Sequence, residues 1–263
     1  MIFALLQTFI RSLFLQTIWN FERMQNMGFA FSMVPLLKRA HASAGSIQTA
    51  IRRHMTFFNV HPYFAPIIMG VVYSKEKASA DRPGDDPTIT VLKDSMGAAF
   101  GGIGDHVFWG TWRPFCALMA LSIGLLVAYP ATGTVSRSVF DAPAALICAK
   151  WWIVGFLAVF NSFHLWLRWR GLQKAALEGP QVVAWVQSLR MQGFAAHLRR
   201  IGLLMLVAMI MVYLWRWNSS KLLIWMVCVL LATVITKRWA FSGFTIFYLV
   251  CIGSIILSVL GLQ

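Results

Sequence analysis

Long apolar runs broken by a few short polar strings constrain this chain more than anything else in it. The strings are Trp19-Asn20-Phe21-Glu22-Arg23-Met24-Gln25, Phe57-Phe58-Asn59-Val60-His61-Pro62 and Gly102-Ile103-Gly104-Asp105-His106-Val107-Phe108-Trp109-Gly110-Thr111. A fourth is Asn161-Ser162-Phe163-His164, with Arg168-Trp169 just after it. Polar groups cost several kcal/mol to bury without partners, and inside a membrane protein they mark functional sites by default. The background is apolar enough for that rule to apply. Of the 263 residues, 59% are hydrophobic and 12% charged, against roughly 45–50% and about 25% in a soluble domain. Mean hydropathy is +0.67. The composition is that of an all-α, polytopic integral membrane protein.

The net charge of +14 comes from 23 Lys+Arg against 9 Asp+Glu. The basic residues sit at the ends of apolar runs and in the short connections between them. That placement fits positive-inside topology and anionic lipid, not a nucleic-acid partner. The first nine residues carry no basic n-region and no small-residue cleavage site follows, so no secretory signal is expected. Cys116, Cys148, Cys228 and Cys251 lie in apolar sequence without paired spacing, which excludes a disulfide framework or thiolate metal site. No phosphate-binding loop, nucleophile elbow or metal-spaced His/Cys cluster occurs. No catalytic residue, metal or cofactor is expected.

Organisation follows from the interruptions. Residues 1–62 read as an N-terminal amphipathic helical region at the cytoplasmic side, broken too often for a lipid-facing span. Helical spacing would put Trp19, Glu22, Arg23 and Asn26 on one face. Ser46 is the expected N-cap of a helix running to Phe58. Residues 63–113 read as a re-entrant, broken-helix region. It contains a polar aqueous loop over 75–90 and a Gly-rich hairpin ending near Asp105. Irregular backbone at membrane depth is tolerated only inside protein or beside a water cavity. Residues 114–167 hold two spanning helices, 168–200 a basic cytoplasmic connection, and 201–263 three further spans. The total is about five spanning helices. The six Lys/Arg in 168–200 place that segment inside and the 131–141 loop outside.

The polar strings supply the candidate site. Glu22 and Asp105 are carboxylates set among apolar residues; either could pair with Arg23 or Arg113, or accept hydrogen bonds from a hydroxylated ligand. Asn59 and His61 form a compact break that is either turn chemistry or a ligand contact. Lys150, Val154, Leu157, Asn161, His164 and Arg168 recur at steps of four and three, making one stripe. That stripe is either a helix–helix hydrogen-bond seam or a cavity wall. Trp109 and Phe58 are candidate aromatic platforms.

The four strings, in this order, resemble those of the IID membrane component of the mannose/fructose/sorbose family of the sugar phosphotransferase system. Members of that family show a Trp-Asn-Tyr/Phe-Glu-Arg-Met-Gln string, then Phe-Phe-Asn-Thr-His/Gln-Pro. Later come Gly-Ile-Gly-Asp with Phe-Trp-Gly-Thr and Arg-Pro, and an Asn-x-x-His string followed by Arg. The corresponding residues here are 19–25, 57–62, 103–114 and 161–171, with Val60 in place of the hydroxyl-bearing residue. The resemblance implies a multi-pass subunit of the bacterial inner membrane. It would form a hexose pathway with a IIC subunit, in trimers of IIC–IID pairs. Cytoplasmic IIA and IIB components would carry the phosphoryl group, so the chain itself is not expected to be an enzyme. The expected pathway residues are Glu22, Asn59 and Asp105, followed by His61, Trp109, Asn161 and His164. The alternative is a non-transporting IID-like scaffold or regulatory subunit.

Overall fold

The computed structural model describes residues 1–80, 86–132 and 143–217. It divides into two compact units, Met1–Met205 and Leu206–Gln263. In the second unit only 206–217 are described, and they are helical. The expected breaks at 218–221 and 237–238 and the spans at 222–236 and 239–262 lie outside the described residues.

The first unit is helical. Helices α1 (Ile2–Ser12), α2 (Asn26–Ala40) and α3 (Ala44–His54) make the N-terminal region. Helix α4 (Ala65–Ala78) follows, then α5 (Pro87–Gly104). A π-helical segment, Asp105–Trp112, leads into α6 (Arg113–Thr132). Helix α7 (Pro143–Glu178), a 3-10 turn, α8 (Val182–Ser188) and α9 (Met191–Trp217) complete the described chain. No strand occurs among the described residues; two isolated bridges, Asn20–Met24 and Met24–Phe58, are the only extended pairing there.

Helix α4 is the hub. Its residues Ala65 to Tyr73 are all buried, and it lies chiefly along α7. The crossing is tight because it is built on small residues. A Cβ at Gly70 would stand 2.7 Å from the Leu172 carbonyl, and one at Gly171 would stand 2.5 Å from Ile67. Small residues let two backbones approach this closely.

Arg11, an interruption in the sequence pattern, repairs a defect in α2. Pro35 lies inside that helix and has no N–H, so the Phe31 carbonyl loses its i+4 donor. The Arg11 Nη1 donates to that carbonyl at 3.2 Å, and its guanidinium sits 4.7 Å from the Phe31 ring centre.

Several expectations are corrected. Trp19, Glu22, Arg23 and Asn26 do not share a helix face, because the chain from 19 to 25 is a turn and not a helix. Asn20 and Met24 exchange backbone hydrogen bonds at 3.1 and 2.9 Å, and Asn20 Oδ1 accepts from Arg23 N at 2.8 Å. Local side-chain-to-backbone bonding of this kind outcompetes helix. The α3 cap is Ser43, whose side chain accepts from Ser46 N, and the helix ends at His54. The polar loop over 75–90 is shorter than expected, since α4 extends through Ala78 and α5 starts at Pro87. The glycine-rich segment is not a hairpin: α5 continues through the π-helical segment into α6. Helix α7 runs past Leu167 to Glu178, so the first turns of the expected connection extend a long helix.

One described stretch, within Ile153–Met211, is long and apolar enough to cross a membrane. Its apolar side chains point outward: Ile153, Val154 and Leu157 on α7, and Ile201, Leu203, Leu204, Val207 and Met211 on α9.

Candidate functional site

The second and third polar strings meet in one cleft. Its lining includes Gln16, Gln25, Asn59, Val60, His61, Gly97, Gly101, Gly102, Asp105 and Trp109, and its volume is about 350 Å³. That falls within the usual range for small-molecule sites.

Each wall follows from local structure. Gly97, Gly101 and Asp105 succeed one another at steps of four along α5 and into the π-helical segment. The glycines therefore give one helix face no side chains and leave space, and Asp105 closes its end. A π-helical stretch is rare and is found often at functional sites. Here it carries both Asp105 and Trp109. The opposite wall is the break before α4, where Asn59 and His61 flank Val60. Gly104 permits the contact between the walls: a Cβ there would collide with the Cβ and ring of His61.

The side chains differ in how committed they are. Asn59 and Asp105 are exposed to the cleft, and no hydrogen bond holds either among the described residues. His61 is 2% exposed. Its Nδ1 accepts from Tyr63 N at 3.3 Å, which assigns the proton to Nε2. That Nε2 has no partner. The ring is wedged against Phe108, stacked at 5.2 Å, and Trp109, tilted at 5.3 Å. Arg113 stands 5.2 Å from the Trp109 ring. On the far side of the π-helical segment, Arg199 of α9 donates to His106 Nε2 at 2.7 Å.

Three expected site residues stand elsewhere. Glu22 projects from the tip of the 19–25 turn, 80% exposed and 3.3 Å from Arg23. It does not line the cleft. Asn161 and His164 form a pair on α7, with His164 Nε2 to Asn161 Oδ1 at 2.8 Å and Asn161 Nδ2 donating to the Leu157 carbonyl at 2.6 Å. They stand behind the cleft, because His164 stacks on Tyr63 at 4.0 Å and 9°. Arg168 continues the same face, donating to the Pro62 carbonyl at 3.0 Å. The lower stripe of α7 is thus a seam that braces the 61–63 turn. Phe58 is 1% exposed and packs in the core against Phe29 at 4.3 Å, leaving Trp109 as the aromatic surface of the cleft.

The sequence reading missed a second polar cluster. Glu76, assigned there to an aqueous loop, is fully buried. Its Oε1 accepts from Arg53 Nη1 at 2.8 Å and His54 Nε2 at 2.8 Å, and its Oε2 from His41 Nε2 at 2.9 Å. The cluster joins the end of α2, the end of α3 and the last turn of α4. Burial pushes the Glu76 carboxyl up, but the His54 hydrogen bond, Arg53 and His41 together hold it below its ordinary value. Burial lowers His54, outweighing the Glu76 carboxylate that raises it. Arg53 is the fixed positive charge. The Nδ1 atoms of His41 and His54 are buried without partners. One signal was available: the basic run Arg52-Arg53-His54 at the end of α3.

Comparison with known proteins gives this architecture a family. The profile of the PTS system mannose/fructose/sorbose family IID component matches residues 3–153, more than half of the chain. The chain belongs to that IID family. The match includes both walls of the cleft and stops before Asn161. Among curated relatives, the mannose-specific EIID component of Escherichia coli K12 is 41% identical over 119 residues. That aligned region is 44% of this chain and 42% of the relative. The fructose permease IID component of Bacillus subtilis is 28% identical over 203 residues, 77% of this chain and 66% of the relative. The sorbose-specific EIID component of Klebsiella pneumoniae is 29% identical over 181 residues, 68% of this chain and 58% of the relative. The chain thus spans from about two-fifths to about two-thirds of the length of these IID relatives. A solved membrane protein superposes with a TM-score of 0.64 at 25% identity, covering 98% of this chain and 95% of its own. A chain of the mannose transporter ManYZ in complex with microcin E492 shares the fold at a TM-score of 0.53 and 24% identity.

Proposed function

We propose that this chain is the IID permease subunit of a mannose-type sugar phosphotransferase system, and that the cleft is its share of the sugar pathway. The observation that carries the reading is the convergence of Asn59, Asp105, His61 and the Trp109 ring in one cleft of a IID-family chain. A sugar hydroxyl both donates and accepts. Asn59 offers a carbonyl and an amide and Asp105 only acceptors, so neighbouring hydroxyls can be met in complementary senses. Trp109 supplies an apolar face for the C–H side of a pyranose ring. Gly97, Gly101 and Gly102 let the ring approach the helix backbone.

The subunit sits in the bacterial inner membrane as a multi-pass protein. The outward apolar rows on α7 and α9 support this reading. A IIC subunit completes the chamber, and a trimer of IIC–IID pairs forms the assembly. Phosphoryl transfer belongs to cytoplasmic IIA and IIB partners. Alternating access delivers the sugar to IIB.

Uptake of radiolabelled hexoses by cells co-producing this chain with the IIC, IIB and IIA encoded beside it tests the proposal. Phosphorylated sugar should accumulate. An assembled complex that takes up no hexose would instead establish the scaffold or regulatory role.

A further inference from the structure

We infer that Gln25 is the positioning residue of the cleft: its side-chain amide fixes the Val60 peptide, and with it the relative aim of Asn59 and His61. This rests on the reading of the cleft as a sugar site.

The clasp completes an interrupted ladder. The 19–25 turn and the 57–62 break run side by side in parallel, with Phe58 N donating to Arg23 O at 3.3 Å and Gln25 N to Phe58 O at 2.8 Å. In a parallel ladder the next residue to be bonded on the second segment is two further on, which is Val60. Its main-chain partners would be the Gln25 carbonyl and the N–H of residue 27. Neither serves, because α2 starts at Asn26 and the Gln25 carbonyl already accepts from Phe29 N at 2.9 Å. The Gln25 side chain takes their place. Its Nε2 donates to Val60 O at 2.9 Å and its Oε1 accepts from Val60 N at 3.3 Å. A primary amide presents the same donor and acceptor as a peptide, so the ladder gains one more rung without main chain.

The rung falls at a sensitive place. Val60 is 4% exposed and Gln25 3%, so both Val60 backbone groups are shielded from water and depend on this partner. On either side of Val60 stand the cleft residues Asn59 and His61. Rotating the flanking peptides re-aims these side chains, and where a reaction depends on such geometry a misplacement of about 1 Å can cost about a hundredfold. The clasp engages the backbone of residue 60, so it is indifferent to whether valine or a hydroxyl residue stands there. Gln25 also explains why the first polar string matters to the cleft although its carboxylate, Glu22, faces away.

The test uses the complete transporter in membranes. Gln25→Met keeps length and removes both bonds; Gln25→Glu keeps the acceptor but sets a second acceptor against Val60 O. Uptake of the preferred hexose is measured with a panel of C2 and C4 epimers as competitors, at membrane abundance fixed by immunoblot. The expected result is a KM raised about tenfold or more and an epimer preference changed several-fold, with little change in abundance. If uptake falls only in proportion to abundance, or the epimer preference stays the same, Gln25 is a packing residue and the inference fails. Should Gln25→Met not reach the membrane, Gln25→Asn is read in the same way. If the unaltered complex takes up no sugar, the proposed function is what has failed, and the clasp is then judged separately. Ala98, an exposed residue that also lines the cleft, is changed to cysteine (Ala98→Cys) in a background without the native cysteines and labelled with a thiol reagent. A labelling rate changed several-fold by Gln25→Met supports the clasp, and an unchanged rate overturns it.

Discussion

Substituting Glu76 should damage this protein more than substituting any carboxylate in its loops. The Glu76 side chain is fully buried, and its partners His41, Arg53 and His54 are 8%, 7% and 0% exposed. Removing one member of a buried ionic cluster costs about 3–5 kcal/mol, because groups left out of water, here the His54 and His41 donors, lose their acceptor. For a chain of this size each kcal/mol moves the melting temperature by about 2–4 °C. The expected loss is therefore about 6–20 °C. Glu76→Gln would lie at the low end, since an amide still accepts from one donor, and Glu76→Leu at the high end. Thermal unfolding of the detergent-purified complex, followed by fluorescence, reads the shift. The pH dependence has a definite sign. Glu76 is held below its ordinary 4.5, so its contribution is complete above that value and disappears as pH falls through the folded value. His54 is likewise lowered from 6.5. The unfolded chain therefore takes up a proton below that pH before the folded one does. Both groups make acid destabilising, His54 from about pH 6.5 downward and Glu76 below about 4.5. A Glu76→Gln protein melting within about 2 °C of the parent, or a parent more stable at pH 5 than at pH 7, would refute the reasoning.

Three other outcomes follow from the same geometry. Gly104→Ala should abolish uptake or folding, because its Cβ would collide with His61, whereas Gly102→Ala has open space and should leave abundance unchanged; paired immunoblots and uptake assays compare them. Asn59→Ala and Asp105→Asn should each lower kcat/KM for hexose uptake about tenfold to a hundredfold, with the complex still assembled by size-exclusion chromatography, while Glu22→Gln should stay within about twofold because its carboxylate is exposed. Arg11→Ala should cost about 1 kcal/mol by returning the Phe31 carbonyl to its unpaired state, seen as a melting shift of a few degrees with unchanged sugar preference.

The helical, membrane-type architecture was legible because apolar composition and run length leave few alternatives. Two of the polar strings also meet in space: Asn59, His61, Asp105 and Trp109 line one cleft. What pattern alone could not supply was direction. Glu22 looks like an acid embedded among apolar residues, but a tight turn carries it outward, and Asn20 makes that turn by accepting from Arg23 N. Glu76 looks like part of a charged loop, but α4 continues one more turn and swings it under α3. The first error comes from side-chain-to-backbone bonding within the turn, and the second from partners distant in sequence, Arg53 and His54, which no local period reveals. The glycine run was misread for a related reason. Glycines that open a helix face and glycines that break a helix are the same in composition, and only the facing His61 shows which is at work here.

The central claim is that Asn59, His61, Asp105 and Trp109 hold sugar together. A structure of the assembled complex with a bound hexose tests it most directly. The account predicts ring hydroxyls within about 3 Å of the Asn59 and Asp105 side chains, with the pyranose face on Trp109. A sugar bound in a chamber that none of these four residues borders would contradict it.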